Sequence, residues 1–324
     1  MRTKKYDVVA LGELLVDFTE NGMSEQGNPI LEANPGGAPC NVLSMLQKFG
    51  NKTAFVGKVG NDNFGQMLRK ALIEQGIGVS GLLTDTSVPT TLAFVHTSED
   101  GDRSFSFYRN PGADVMLKED EIPTELIAQS NIFHFGTLSM TDLEVEEATK
   151  KAIQAAKENG LLISFDPNLR PPLWKSLDDA KEKMAYGFSN CDILKISDDE
   201  ILFFTGESDI NKGVCKIREQ YPIKLVCATL GKQGSIAYYD DLSVKCEPFL
   251  NENTIETTGA GDTFMGCVLH SVLNVGLDNF KKESLYEMLC EANAAASLIT
   301  SKRGALKVMP QEVEIDAFRK KFNR

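Results

Sequence analysis

Basic surplus, disulfide spacing and long apolar runs are all missing from this 324-residue chain, and each absence removes a class of function. Lys and Arg number 34 against 46 Asp and Glu, a formal charge of 34 − 46 = −12. Such an acidic chain lacks the basic face that nucleic acid or an anionic membrane requires, so neither is expected as a partner. The seven cysteines (40, 191, 215, 227, 246, 267 and 290) are scattered, odd in number and without a C-x-x-C pair. That excludes a disulfide framework or a cysteine zinc site and fits a reduced, cytoplasmic setting. His96, His134 and His270 are the only histidines and show no metal-ligand spacing. No apolar run approaches the ~20 residues of a membrane span. Charges at Arg2, Lys4, Lys5 and Asp7 interrupt any signal-peptide core. No Gly-x-Gly-x-x-Gly follows the first strand-like segment, which argues against a dinucleotide-binding dehydrogenase.

What is present is an alternation of strand-like and helix-like segments. Residues 6–12 and 53–59 read as strands, and helices are expected from 38 to about 49 and over 64–75, with Gly76 as a stop. The alternation resumes at 131–135, 143–159, 161–165, 178–189, 192–196, 198–205, 210–220 and 224–230. Repeated units of this kind predict an α/β fold with a mostly parallel sheet covered on both faces. Two stretches break the rhythm: 14–35 carries no helix signal, and 90–108 reads as two β runs joined by a turn at 98–102. Together they suggest a small β lid. The division expected is 1–13, 36–88 and 113–324 for the α/β domain, with 14–35 and 89–112 for the lid. From 260 onward the chain reads as helical apart from 301–310.

The most informative segment is Glu256-Thr257-Thr258-Gly259-Ala260-Gly261-Asp262-Thr263-Phe264. Three minimal residues precede an apolar helix, whose free N–H groups and positive dipole end suit an anion. Asp262 beside such a site is poorly placed as a ligand for negative charge but well placed as a base toward an attacking hydroxyl. The pattern suggests phosphoryl transfer to an alcohol. Other polar clusters fall at expected strand exits, where ligands of parallel sheets collect. Asp166, Asn168 and Arg170 follow strand 161–165, and the Arg fork suits a phosphoryl group. A plain Asp166–Arg170 pair around the proline turn is the other reading. Strand 224–230 ends in Thr229, Gly231, Lys232 and Gly234. Asp17 and Asn41 offer groups for sugar-like hydroxyls, and Ser197 to Glu200 has the form of a helix capping box.

Gly36-Gly37-Ala38-Pro39-Cys40-Asn41, the run Gly57 to Gly65, and Thr257 to Asp262 resemble, in order and spacing, the PfkB-type sugar kinases of the ribokinase/fructokinase family. The resemblance spans essentially the whole chain. Residues 166–174 and 107–114 are most similar to the fructokinase branch. The resemblance implies a ribokinase-like fold and an ATP- and Mg2+-dependent kinase, acting most naturally on fructose O6, with the lid covering the sugar and also serving as a possible homodimer contact. Kinases of ribose, a nucleoside or 2-keto-3-deoxygluconate, and a silent sugar-binding relative, are the competing readings. By similarity, Asp262 would be the base, the N–H groups of Gly259, Ala260 and Gly261 the anion hole, and Arg170 a phosphoryl contact. Asp17, Gly36, Gly37, Asn41, Asp166 and Asn168 would hold the sugar, with Arg109 near it. Lys195, Thr229, Gly231, Lys232, Gly234 and Asn293 would face the nucleotide. Glu200 would organise Mg2+ through water, although Ser197 replaces the usual Asn of that motif. Glu256 stands where the family often has an Asp beside a K+ ion, which puts potassium dependence in question.

Overall fold

A computed structural model describes residues 4–97 and 103–323. In chain order the first half contains β1 (Tyr6–Leu11), β2 (Leu15–Met23), β3 (Pro29–Gly36), α1 (Ala38–Lys48), β4 (Thr53–Gly60), α2 (Asn63–Glu74), β5 (Gly78–Asp85), β6 (Leu92–Thr97), β7 (Arg103–Tyr108), α3 (Thr124–Ala128), β8 (Ser130–Gly136) and α4 (Leu143–Glu158). The second half contains β9 (Leu162–Asp166), α5 (Leu177–Phe188), β10 (Ile193–Ser197), α6 (Asp198–Thr205), α7 (Ile210–Gln220), β11 (Leu225–Thr229), β12 (Ser235–Tyr239), β13 (Leu242–Cys246), α8 (Ala260–Val275), α9 (Lys282–Ile299) and α10 (Glu312–Lys321).

Nine strands form the main sheet in the order β13-β12-β11-β10-β9-β8-β1-β4-β5. All neighbours run parallel except β11–β12 and β12–β13. This is the mostly parallel α/β fold expected. Side chains alternate across each strand. In β1, Val8 and Ala10 therefore join a core with α1, α8 and α9, while Val9 and Leu11 join a second core with α4, α5 and α7. Phe133, Phe135, Phe165 and Phe188 are fully buried in the second core, each contributing roughly 1.5–3 kcal/mol of burial. A separate four-stranded sheet, β3-β2-β6-β7, is formed by the two stretches that broke the α/β rhythm. The turn expected over 98–102 lies outside the described residues.

Three strands were not foreseen from the sequence: β5, β12 and β13. Every residue of β12 is buried, and it pairs antiparallel with β11 over Leu225–Thr229. That pairing needs only the tight turn Gly231–Gln233, in which Gly231 and Gly234 both have positive φ (52° and 87°).

Candidate active site

One cavity of about 950 Å³ opens where the carboxyl ends of β9, β10 and β11 meet the starts of α1 and α8, with Leu15 and Asp17 of β2 and Phe107 of β7 on its wall. The sheet order separates its two ends. Residues from β2, α1 and the loop after β9 line one; residues from β11, the 248–254 segment and α9 line the other.

The N-terminus of α8 lies between them. Its N-cap, Gly259, sits at φ 77° and offers no side-chain cap, and a Cβ there would meet Ala305 at 2.6 Å. The Ala260 N–H donates to Thr257 O (3.2 Å). The N–H groups of Gly261 and Asp262 have no acceptor among the described residues, as expected for a first helical turn. Asp262 is 9% exposed, and its Oδ2 accepts from Asn41 Nδ2 at 2.8 Å. Burial raises its pKa, opposed by that hydrogen bond and by the charges of Lys195 and Arg170. Asn41 Oδ1 is buried without a partner among the described residues, an acceptor at the cavity wall that suits a hydroxyl.

Lys195 leaves β10 beneath this helix start. Its Nζ meets Asp166 Oδ1 and Oδ2 at 3.1 and 3.0 Å. Burial alone would lower its pKa, but Asp166, Glu200 and Asp262 outweigh it and hold the ammonium charged. Burial pushes Asp166 up to about 6 against the pull of Lys195. A Cβ on Gly261 would lie 3.0 Å from Lys195 Nζ, so a side chain at 261 would press on this cation. Asp166 therefore pairs with Lys195 rather than with Arg170, and it stands behind the cavity wall. Arg170, donating to Leu169 O at 3.2 Å, lines the cavity with Asn168, whose φ of 46° is left-handed. Glu200 takes the structural role that its motif offers. It closes the capping box with Ser197, and its Oε1 accepts the Leu169 N–H at 2.8 Å, tying the loop after β9 to α6 while lining the cavity.

At the β2 end, Asp17 faces the cavity. Burial pushes it up to about 7, with Arg170 opposing and Asp262 and Glu256 adding to the rise. Gly36 is not on the wall; a side chain there would collide with the Asp17 carboxylate. Gly37 is on the wall at φ 126° and packs against Glu13 O. Arg109 lies behind the wall. Its Nε and Nη2 meet Asp114 Oδ2 at 2.8 and 2.6 Å, and its Nη groups also bond Thr141 Oγ1 (3.0 Å) and Leu138 O (2.8 Å). At the other end, Thr229, Gly231, Lys232, Gly234 and Asn293 all line the cavity. Asn293 donates to Cys246 O at 3.2 Å. Glu256 is also off the wall: its Oε1 accepts the Gly304 N–H at 2.8 Å.

Against known proteins, the family description "pfkB family carbohydrate kinase" matches residues 5–312. The chain belongs to the pfkB family of carbohydrate kinases. Among sequence relatives of this kinase, probable fructokinase-4 of Arabidopsis thaliana is 37% identical over 97% of this chain and 96% of its own. A fructokinase with bound ATP from Xylella fastidiosa superposes with TM-score 0.89 at 27% identity, covering 98% of this chain and 99% of that one. A double mutant of Vibrio cholerae O395 fructokinase, in fructose-, ADP- and potassium-bound form, gives 0.86 at 29% identity over 98% and 99%.

Two parts of the pfkB cavity escaped the sequence reading. Glu13 lines it, buried at 4% exposure, with Oε1 accepting the Ala38 N–H at 2.8 Å. Burial pushes Glu13 up to about 7, opposed by that N–H and by Arg109. Its one signal was a charged residue directly after an apolar strand. The segment 248–254 has no helical or strand periodicity, and nothing in its sequence marks it as a wall.

Proposed function

We propose that this carbohydrate kinase transfers the γ-phosphoryl group of ATP to O6 of D-fructose. The observation that carries the proposal is the Asn41–Asp262 hydrogen bond at the open start of α8, in a cavity that Lys195 and Arg170 also line. Asp262 accepts the proton of the hydroxyl as its oxygen bonds to the γ-phosphorus and the bond to the ADP oxygen breaks. The N–H groups of Gly261 and Asp262, with Arg170 and Lys195, meet the charge on the transferring group. Asp17 and Asn41 orient the sugar hydroxyls, and the second sheet closes over them as a lid that excludes water.

Among the described residues no three His, Cys, Asp or Glu side chains cluster to cage a metal. This fits Mg2+ that keeps its waters and arrives with the nucleotide, with Glu200 holding it through water. When bound, that ion neutralises phosphate charge. Potassium accompanies the Vibrio relative. Here Glu256 is the carboxylate that would hold a monovalent ion, though its Oε1 already takes the Gly304 N–H.

A neutral sugar suits the β2 end better than a sugar acid. Glu13, Asp17 and Asp262 outnumber Arg170 on that wall, and Arg109 behind it is neutralised by Asp114. The test is ADP release with ATP and Mg2+ over fructose, ribose and 2-keto-3-deoxygluconate, with the product's phosphate position read by NMR. Preference for another sugar overturns the choice of fructose. Absence of any sugar-stimulated ADP release overturns catalysis in favour of a binding protein. Exposed Met23, Ile30, Leu31 and Tyr108 on the second sheet support pairing of two chains through it, which sedimentation velocity checks.

A further inference from the structure

Helix α1 carries Asn41, the residue that holds Asp262, yet it cannot cap its own start. The N-cap position is Gly37, at φ 126°, with no side-chain cap bond. No other residue fits there, because a Cβ would run into the Glu13 carbonyl. A helix start without a side-chain cap frays, and fraying here moves Gly37, Ala38 and Asn41, all on the cavity wall. The cap comes instead from Glu13, twenty-five residues away, whose Oε1 accepts the N–H of Ala38 at 2.8 Å. Ala38 is the first residue of α1, and its N–H is one of the donors that a helix start leaves without an intrahelical partner. The next links are the Asn41 N–H to Gly37 O (3.0 Å) and Asn41 Nδ2 to Asp262 Oδ2 (2.8 Å). Glu13 is 4% exposed, a location where a carboxylate persists only with partners.

We infer that Glu13 is a positioning residue of the sugar site: a cap supplied from outside the helix that fixes the first turn of α1 and thereby aims Asn41 at Asp262 and at the sugar. The inference rests on the kinase reading above for its kinetic consequence, but not for its structural one.

Length and charge separate the cap from other roles. Glu13→Gln keeps an oxygen at the same reach and removes the charge. Glu13→Asp keeps the charge and falls one methylene short of the Ala38 N–H. Glu13→Ala removes both. The Asp and Ala variants are expected to raise the sugar KM and lower kcat, together by roughly tenfold, as for loss of a helix cap felt directly in the site. The KM for ATP stays within roughly twofold, and Glu13→Gln stays close to the parent in all three constants. Hydrogen–deuterium exchange over residues 38–42 is read in parallel. It accelerates in the Asp and Ala variants and not in the Gln variant. Where Glu13→Ala does not fold, Glu13→Asp and Glu13→Gln carry the comparison alone. Unchanged exchange and unchanged sugar KM in Glu13→Asp overturn the proposal. So does a Gln variant as impaired as the Asp one, which would assign the effect to charge, or an equal rise in both KM values, which would mean general loosening. A parent enzyme that phosphorylates no sugar refutes the kinase reading instead, and the exchange measurement still decides the cap.

Discussion

The two ends of the cavity are built on different principles. At the β2 end the wall is rich in charged and amide groups, several held by a partner far away in sequence: Asn41 with Asp262, Glu13 with Ala38, and Asp166 with Lys195 just behind. At the β11 end it consists of loop backbone, small residues and a few polar side chains: Thr229, Gly231, Gly234, Ala296 and Ser297 among them. Low-dielectric surroundings make the first set strong where paired and costly where not. The second set gains more from shape than from charge. Substitutions at the first end should therefore disturb chemistry and folding together, whereas those at the second should disturb nucleotide affinity alone.

The sharpest test is Asp262→Asn. Loss of a positioned base should lower kcat by ~10²–10⁴-fold, while ATP binding measured by calorimetry stays near that of the parent. Near-normal turnover would remove Asp262 from the mechanism. Next is Lys195→Ala, which strands Asp166 at 3% exposure. Breaking a buried pair from one side should cost about 3–5 kcal/mol of unfolding free energy in urea, beyond any loss of rate. A variant as stable as the parent would show that the pair is not buried as described.

Glu13→Gln brings a smaller effect of the opposite sign. The folded-state pKa of Glu13 is raised from an ordinary 4.5 to about 7. Its contribution to stability is thus complete below 4.5 and lost as pH rises through 7. The Gln variant should be more stable than the parent at pH 8, by on the order of 1–3 kcal/mol. The gap should close as pH falls toward 4.5. Urea titrations at the two pH values check this, and a gap that is constant with pH rejects the buried-charge account. Smallest is Asn293→Ala, at the other end. It should raise the KM for ATP by roughly fivefold, the scale of one hydrogen bond, and leave the sugar KM alone. A matching change in sugar KM would erase the distinction between the two ends.

The parts of the fold readable from the sequence are those whose cause is local. Gly-Gly before Pro39 announces the start of α1, Gly259 to Gly261 the start of α8, and apolar strands closing on Asp166 and Thr229 mark the ligand-facing edge. Strand β12 was unreadable because Ser235–Tyr239 is short and buried throughout, with no alternation to distinguish it. Pairings over distance were equally hidden. Nothing near Asp166 announces that its partner is Lys195, 29 residues on. Nor does the sequence around Arg109 show that Leu138 and Thr141 will occupy its remaining donors. Glu13 is hidden for the same reason: its bond to the Ala38 N–H exists only once β1 and α1 are packed side by side.

The start of α8 has a consequence for the economy of the whole molecule. Most helices are finished by a side chain of their own sequence, so their stability is a fixed property of the chain. Here Gly259 offers none, and the N–H groups of Gly261 and Asp262, both cavity-lining residues, have no acceptor among the described residues. On the proposed function, a phosphate oxygen of the nucleotide would be the complement that the sequence leaves to the reaction itself. Substrate would then also be a structural component, and occupancy of the site and durability of the fold would be linked, readable as a rise in melting temperature with nucleotide.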